Sequence, residues 1–243
     1  MTVASGRPGA HGVLATALTA LAGTPDHSPT LDGRMLAIAK LTAERVGPAL
    51  YASITALRGK VYTTVAVSDD LIQAVDHAQY SDNAGPCLDS VNGGVPVGVP
   101  DIDAMVQWPG FHEVAPRMGL HASVSVPMFA GRGKVIAALN AYGHDRAAMA
   151  PLIAGIWHVH GRAGREGRDL PSGLDAGGLD LVTGYAAALD IRATIRHAIK
   201  LIATANRCGA DDAYLSLCLE AGTAGTDLTE AALAVIRRMS DQR

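Results

Sequence analysis

HASVSVPMFA-GRG-KVIAALNAY, residues 121–142, reads as two strands joined by a tight turn. From His121 to Phe129 small polar and apolar residues alternate, the two-residue period of a strand with one face turned to a core. Ala130-Gly131-Arg132-Gly133 reverses the chain, and Lys134 to Tyr142 returns as the antiparallel partner. Gly131-Arg132-Gly133 precedes no helix, so it is a hairpin turn and not a phosphate cradle. Working outward, Ala49–Leu57 and Val61–Val67 are short β-branched runs on either side of Arg58-Gly59-Lys60, a second hairpin, and Val95–Val99 is a further strand.

Helical signals lie between these strands. Gly12–Leu21 forms a short helix closed by Gly23-Thr24-Pro25, and Leu31–Val46 a second one stopped by Gly47-Pro48. Ser68-Asp69-Asp70 caps a helix reaching about His77, and a loop from Tyr80 turns into a brief helix before Val91. Helices are also expected near Phe111–Met118 and over Ala147–His160. Helices alternating with antiparallel hairpins around one sheet give an α+β fold. Residues 161–178, rich in Gly, Arg and Asp with Pro171, read as an exposed linker that interrupts helix, so that a signal would cross by domain packing and not along a rigid rod. From Leu181 to Met239 three short helices close an all-α bundle around Ile195, Leu201, Tyr214, Leu217, Leu228 and Ile236. Asp211 with Asp212, and then Asp227, are placed to start the second and third of them. The expected organisation is an N-terminal segment with a short helix (1–30), an α+β domain (31–160), a linker (161–178) and a three-helix domain (179–243).

The chain has 243 residues, 49% of them hydrophobic, enough for one large or two modest cores. A formal net charge of -3 provides no overall field for nucleic acid, so any such binding must come from a local patch. One is visible: Arg192, Arg196 and Lys200 stack four apart on one side of the first C-terminal helix, Arg207 follows a turn on, and Ile191, Ile195, Ala198, Ile199 and Ile202 form the apolar side. The stripe is either a phosphate-tracking surface or an ordinary solvated face, since acidic residues from Asp190 to Asp241 balance the bases. Cys87, Cys208 and Cys218 lack metal-ligand spacing and fit free thiols in a reducing cytoplasm. Gly12–Ala22 raises the idea of a signal-peptide core, yet only Arg7 precedes it and it reads equally as an amphipathic helix. No apolar run is long enough to span a bilayer.

Two ordered sets of residues carry family resemblances. Tyr80, Gly85-Pro86-Cys87-Leu88-Asp89, Val97, Asp101, Trp108-Pro109-Phe111, Ser123-Val124-Ser125-Val126-Pro127 and Ala138-Leu139-Asn140-Tyr142 resemble the GAF sensor domain, over roughly Leu31–His160. Arg192, Ile195, Ala198, Cys208, Asp211-Asp212-Ala213-Tyr214, Leu217, Leu228 and Ala232 resemble the ANTAR module of bacterial transcription antitermination regulators, although that family's Ala-Lys-Gly reads here Ala198-Ile199-Lys200. The resemblances imply an actinobacterial-type GAF-ANTAR regulator: a cytoplasmic homodimer whose sensor takes an unidentified small molecule and whose end-module binds RNA hairpins through Arg192, Arg196, Lys200 and Arg207. The alternative keeps the architecture but makes the bundle a dimerisation or protein-docking piece.

Candidate sites follow from the same residues. A GAF pocket would lie on one face of the sheet, with Tyr80, Cys87, Val97, Ser123, Ser125 and Asn140 as lining or as plain core and sheet edge. Cys87, at a helix start, is either an activated thiol or a small apolar side chain beneath the loop. A GAF domain that reduces free methionine sulfoxide would need a relay of cysteines where this half has one, and bilin attachment sites often have His where Leu88 stands. No catalytic set or metal site is defensible. His158 and His160 point to different sides of a helix, and the histidines are expected at the surface or in loops; the sequence names no cofactor.

Overall fold

The structure, a computed structural model, describes residues 12–161 and 170–241. Five strands, β1 Tyr51–Arg58, β2 Val61–Val67, β3 Val97–Val99, β4 Ala122–Ala130 and β5 Lys134–Gly143, make one antiparallel sheet in the order β2-β1-β5-β4-β3. Both expected hairpins form; the expected edge strand is shorter, leaving out Val95 and Pro96. Strand alternation sends Ala52, Ile54, Ala56, Val124, Val126, Leu139 and Ala141 to one face, and Ser53, Thr55, Ser123, Ser125, Asn140 and Tyr142 to the other. A polar face of this pattern would ordinarily be wet. Here it is buried too, and β4 is buried along its whole length.

The apolar face is covered by α1 Val13–Ala22, α2 Leu31–Arg45, α6 Arg146–Gly161 and the first half of α7 Ala176–Asn206. Leu14, Leu18 and Leu21 of α1, Ile38 of α2, Ile156 of α6 and Leu181, Val182 and Tyr185 of α7 fill this core. Removing each such aliphatic side chain from water contributes about 1.5–3 kcal/mol. Helix α1 is therefore an integral core element. Its N-terminus has no capping side chain of its own. Asp180 of α7 supplies one, accepting hydrogen bonds from the N–H groups of Leu14 (2.9 Å) and Ala15 (3.2 Å). The two helices touch backbone to backbone at Gly184, where a Cβ would stand 2.5 Å from Ala15 Cα.

The polar face is covered by α3 Gln73–Asp82, α4 Pro86–Gly93 and α5 Pro109–Arg117. A 3-10 turn over Asp70–Ile72 leads into α3, with Asp69 accepting from the Leu71 N–H at 2.9 Å. Helix α3 runs one turn past the His77 stop expected from sequence, so Tyr80 lies in a helix and not in a loop. The expected motifs meet in this layer: Trp108 Nε1 donates to Asp89 at 3.2 Å and packs edge-on against buried Phe111.

The C-terminal region departs from three short helices. Helix α7 has 31 residues and begins at Ala176, ahead of the expected start. Of the expected linker, residues 162–169 lie outside the described residues; Leu170–Asp175 is coil and turn, and Asp175 caps α7 by accepting from the Gly178 N–H. The second half of α7 packs with α8 Ala210–Ala224 and α9 Leu228–Ser240 through Ile195, Ala198, Ile199, Ile202, Tyr214, Leu217, Leu228 and Val235. Leu201, expected in this core, is only half-buried because it falls off the stripe 195, 198, 199, 202, and Ile236 yields the fully buried position to Val235. Asp227 caps α9 as expected. Asp211 and Asp212 occupy the first turn of α8, but its capping position is Gly209 and neither side chain caps it.

The bundle docks on the tip of the β4–β5 hairpin. Arg132 donates through Nε to Asp26 at 2.7 Å, pairs with Asp211, and lies 4.8 Å over the ring of Tyr214, whose hydroxyl accepts from the Asp26 N–H. Arg192 donates to the Gly133 carbonyl at 2.8 Å and stacks 4.0 Å from the ring centre of Phe129. Gly133, at φ +75, would bring a Cβ within 2.9 Å of the Arg192 stem.

The α1–α7 crossing is the tightest test of this architecture. Gly184→Val should lower the unfolding free energy by about 1–3 kcal/mol or more, read from urea midpoints, whereas Gly222→Ala, with open space around its Cα, should leave the midpoint unchanged or raise it.

Candidate functional site

Strand register assembles the polar face. Ser53, Asn140, Ser125 and Val97 form one row across β1, β5, β4 and β3; Tyr51, Tyr142, Ser123 and Val99 form another. Above them α3 inserts Asp76, which has no exposed surface. Its carboxylate accepts hydrogen bonds from Ser53 Oγ (3.0 Å), Tyr142 OH (2.8 Å) and Thr64 Oγ1 (2.8 Å). One helical turn on, the Tyr80 hydroxyl lies 2.7 Å from Thr64 Oγ1 and 3.0 Å from Thr55 Oγ1. Asn140 Nδ2 donates to Ser53 Oγ (3.1 Å) and Thr55 Oγ1 (3.0 Å). The result is a buried network of hydroxyls, one amide and one carboxylate.

Its electrostatics follow from burial. Loss of water raises the Asp76 pKa to about 6, against the opposing hydrogen bonds from Tyr142, Ser53 and Thr64 and the nearby charge of His77. Tyr80 and Tyr142 are pushed up by burial and by the Asp76 charge. The same two causes push up the Cys87 thiol, which is fully buried. A thiol held neutral is not a nucleophile, so of the two readings of Cys87 the geometry supports the packed one. Cys87 nevertheless ties the cover together, its N–H donating to Gln79 Oε1 at 3.1 Å.

Among the described residues, Asn140 Oδ1 and Ser123 Oγ are buried without a hydrogen-bond partner in the protein. Unpaired buried polar atoms are costly, and here both lie on the face that carries Asp76. Asn140 Oδ1 can only accept a further hydrogen bond and the Ser123 hydroxyl can donate or accept one, so the face keeps unused polar capacity, and it presents no activated nucleophile.

Of the six residues expected to line a pocket, Tyr80, Cys87, Ser123, Ser125 and Asn140 share this face with half-buried Val97 at the edge. Sequence reasoning missed Asp76, Ser53, Thr55, Thr64 and Tyr142 as members of the network. Two signals were available: the one-turn spacing of Asp76 and Tyr80, and the polar alternation of Ser53 and Thr55 in β1. The basic residues go elsewhere. Arg192 is engaged by the hairpin tip, Arg196 and Lys200 are exposed beside it, and Arg207 ends α7 in a left-handed conformation at φ 53.

Two histidines depart from the expected surface placement. His160 Nδ1 lies 2.7 Å from the Tyr185 hydroxyl, with the rings stacked, and its pKa is lowered by partial burial and by Arg192. His158 Nε2 is buried without a partner. Among the described residues no group of three or more His, Cys, Asp or Glu side chains could hold a metal ion, and no helix is long and apolar enough to cross a membrane.

A five-stranded antiparallel sheet with helices over both its apolar and its polar face defines a layered α+β domain. The family model for the GAF domain matches residues 30–152, half of the chain, and the chain belongs to the GAF domain family. Two solved structures are similar. One is a type II free methionine-R-sulfoxide reductase from Thermoplasma acidophilum, at 15% identity and a TM-score of 0.38, covering 58% of this chain and 95% of that one. The other is a domain of a two-component sensor histidine kinase protein from Sinorhizobium meliloti 1021, at 14% identity and a TM-score of 0.41, covering 75% and 100%. Comparison with curated proteins gives no match.

The buried carboxylate makes a signed prediction. Because the folded-state pKa of Asp76 is raised, its contribution favours the folded protein at acid pH and is lost as pH rises from about 4 through about 6. Relative to Asp76→Asn, the wild type should therefore lose about 2 kcal/mol of stability between pH 4 and pH 7, checked by urea unfolding of both proteins across that range.

Proposed function

We propose that this protein is a signal-responsive regulator: the polar face of the GAF sheet takes a small ligand, and the C-terminal three-helix unit is an effector that binds RNA hairpins in transcription antitermination. The protein acts in the cytoplasm, as a homodimer, and without catalysis. The observation that carries the coupling is α7, which contributes Leu181, Val182, Tyr185 and Leu189 to the sensor core and Ile195, Ala198, Ile199 and Ile202 to the bundle core. Ligand-dependent packing of the sheet would reach the effector through that one helix, with the ligand acting by its different affinity for two packings. RNA as the partner is supported by the resemblance of Arg192 to Ala232 to ANTAR modules and by the exposed cations Arg196 and Lys200.

A second reading has its own observation. Leu215, Leu219 and Leu233 on α8 and α9 are 59%, 72% and 44% exposed, and Leu219 and Leu233 border an apolar groove between the two helices. Under that reading the bundle docks protein and the cations are a solvated face.

Hairpin binding at increasing salt separates the two. The RNA reading expects affinity to fall steeply with salt, with the slope reduced by about one for each phosphate-contacting cation removed in Arg196→Ala and Lys200→Ala. A folded wild-type protein that shows no specific hairpin binding at low salt overturns it.

A further inference from the structure

The seam between the hairpin tip and the bundle is a cleft of about 560 Å³. Arg132 and Lys134 reach it from the hairpin, and Arg192, Arg196 and Lys200 from α7. Two carboxylates, Asp26 and Asp211, answer these five cations, and both are committed to Arg132. The cluster thus carries a surplus of three positive charges. Arg192 has spent its guanidinium on the Gly133 carbonyl and the Phe129 ring, and its pKa is lowered first by burial and then by the charge of Arg196. Lys134, Arg196 and Lys200 are exposed and form no ion pair among the described residues.

Like charges gathered from two separate units around a concave surface repel one another and so work against the docking that brings them together. An anion in the cleft reverses the sign of that contribution. Arg196 and Lys200 are one helical turn apart and Lys134 faces them across the cleft, so the three cations can meet more than one anionic group of a single ligand. Ile199, Ala203 and Ala210 supply an apolar wall beside them.

We propose that this seam is a binding site for a small ligand bearing a chain of phosphate groups, held jointly by Lys134 of the sensor and by Arg196 and Lys200 of the effector helix. Bound there, it clamps the bundle onto the hairpin. The site is separate from the polar face of the sheet and does not require that the bundle bind RNA. Phosphate could also come from an RNA backbone, which would use α7 but has no need of the sensor's hairpin.

Calorimetric titration of the full chain with inorganic tripolyphosphate, at low and at physiological salt, tests the proposal. Wild type should bind, and Lys134→Ala and Lys200→Ala should each weaken binding by about 10-fold or more, while Lys60→Ala, an equal change of charge at the β1–β2 turn, should not. Circular dichroism confirms that each variant is folded. Absence of tripolyphosphate binding at low salt overturns the proposal, as does equal weakening by Lys60→Ala. A hairpin RNA arm distinguishes the sources: hairpin binding that is lost in Lys200→Ala, unchanged in Lys134→Ala and not displaced by tripolyphosphate assigns the cations to the RNA backbone and overturns the small-ligand site. Failure of hairpin binding with retained tripolyphosphate binding removes the RNA reading and leaves this one standing.

Discussion

Helix α7 is buried twice, and the rest of the structure depends on it. Leu181, Val182, Tyr185 and Leu189 recur at three- and four-residue spacing and close the sensor core; Ile195, Ala198, Ile199 and Ile202 recur in the same way and close the bundle. The backbone hydrogen bonds of a helix are internal, so neither half can turn about the axis without carrying the other. The first half also caps α1 through Asp180 and accepts it closely at Gly184. Of the linker expected over 161–178, Leu170–Asp175 is coil and turn, while Ala176–Gly178 already belongs to the shared helix, so this stretch precedes α7 and does not separate the two cores. The two cores are therefore joined by continuous helix from Ala176 onward.

The seam shows how differently ion pairs count. Arg132 and Asp26 have side chains only 24% and 14% exposed, and the guanidinium also lies over Tyr214. Partial removal from water strengthens this pair, and the stacking contributes up to about 2 kcal/mol when desolvated. The Arg58–Asp32 pair on the surface, at 55% and 60% exposure, is worth close to nothing. A helical stripe of Arg192, Arg196 and Lys200 is a correct description of one side of α7, yet its members have different neighbours. The first is desolvated against the hairpin, and the other two face a cleft.

The sensor half was largely legible because its signals are local. Alternation in residues 121–142, the turn at Gly131–Gly133 and the hairpin at Gly59 each fix a strand pair within a few residues, whereas the β1–β5 and β3–β4 pairings that set the sheet order join strands distant in sequence. The network around Asp76 was not legible. Asp76, Ser53, Thr64 and Tyr142 are separated by many residues, and nothing in the run Leu71-Ile72-Gln73-Ala74-Val75-Asp76-His77-Ala78 distinguishes a solvated Asp from one placed over a sheet. Only register and the position of α3 bring them within 3 Å. Residues quoted from Tyr80 to Tyr142 as a family pattern turn out to include pieces of one layer, since Trp108 bonds Asp89 and Ser125 sits opposite Asn140.

By itself the sequence determined the α+β class, both hairpins, most of the helices, the apolar stripe of the bundle and the presence of a GAF sensor, because each rests on periodicity, turn chemistry or an ordered local pattern. The tertiary structure alone decided that the polar face of the sheet is buried around a carboxylate, that Arg192 is consumed by the hairpin tip, and that α7 is one helix serving two cores. Those outcomes depend on which surfaces meet across long sequence separations. Burial and charge pairing belong to the meeting surfaces, and no local pattern carries them.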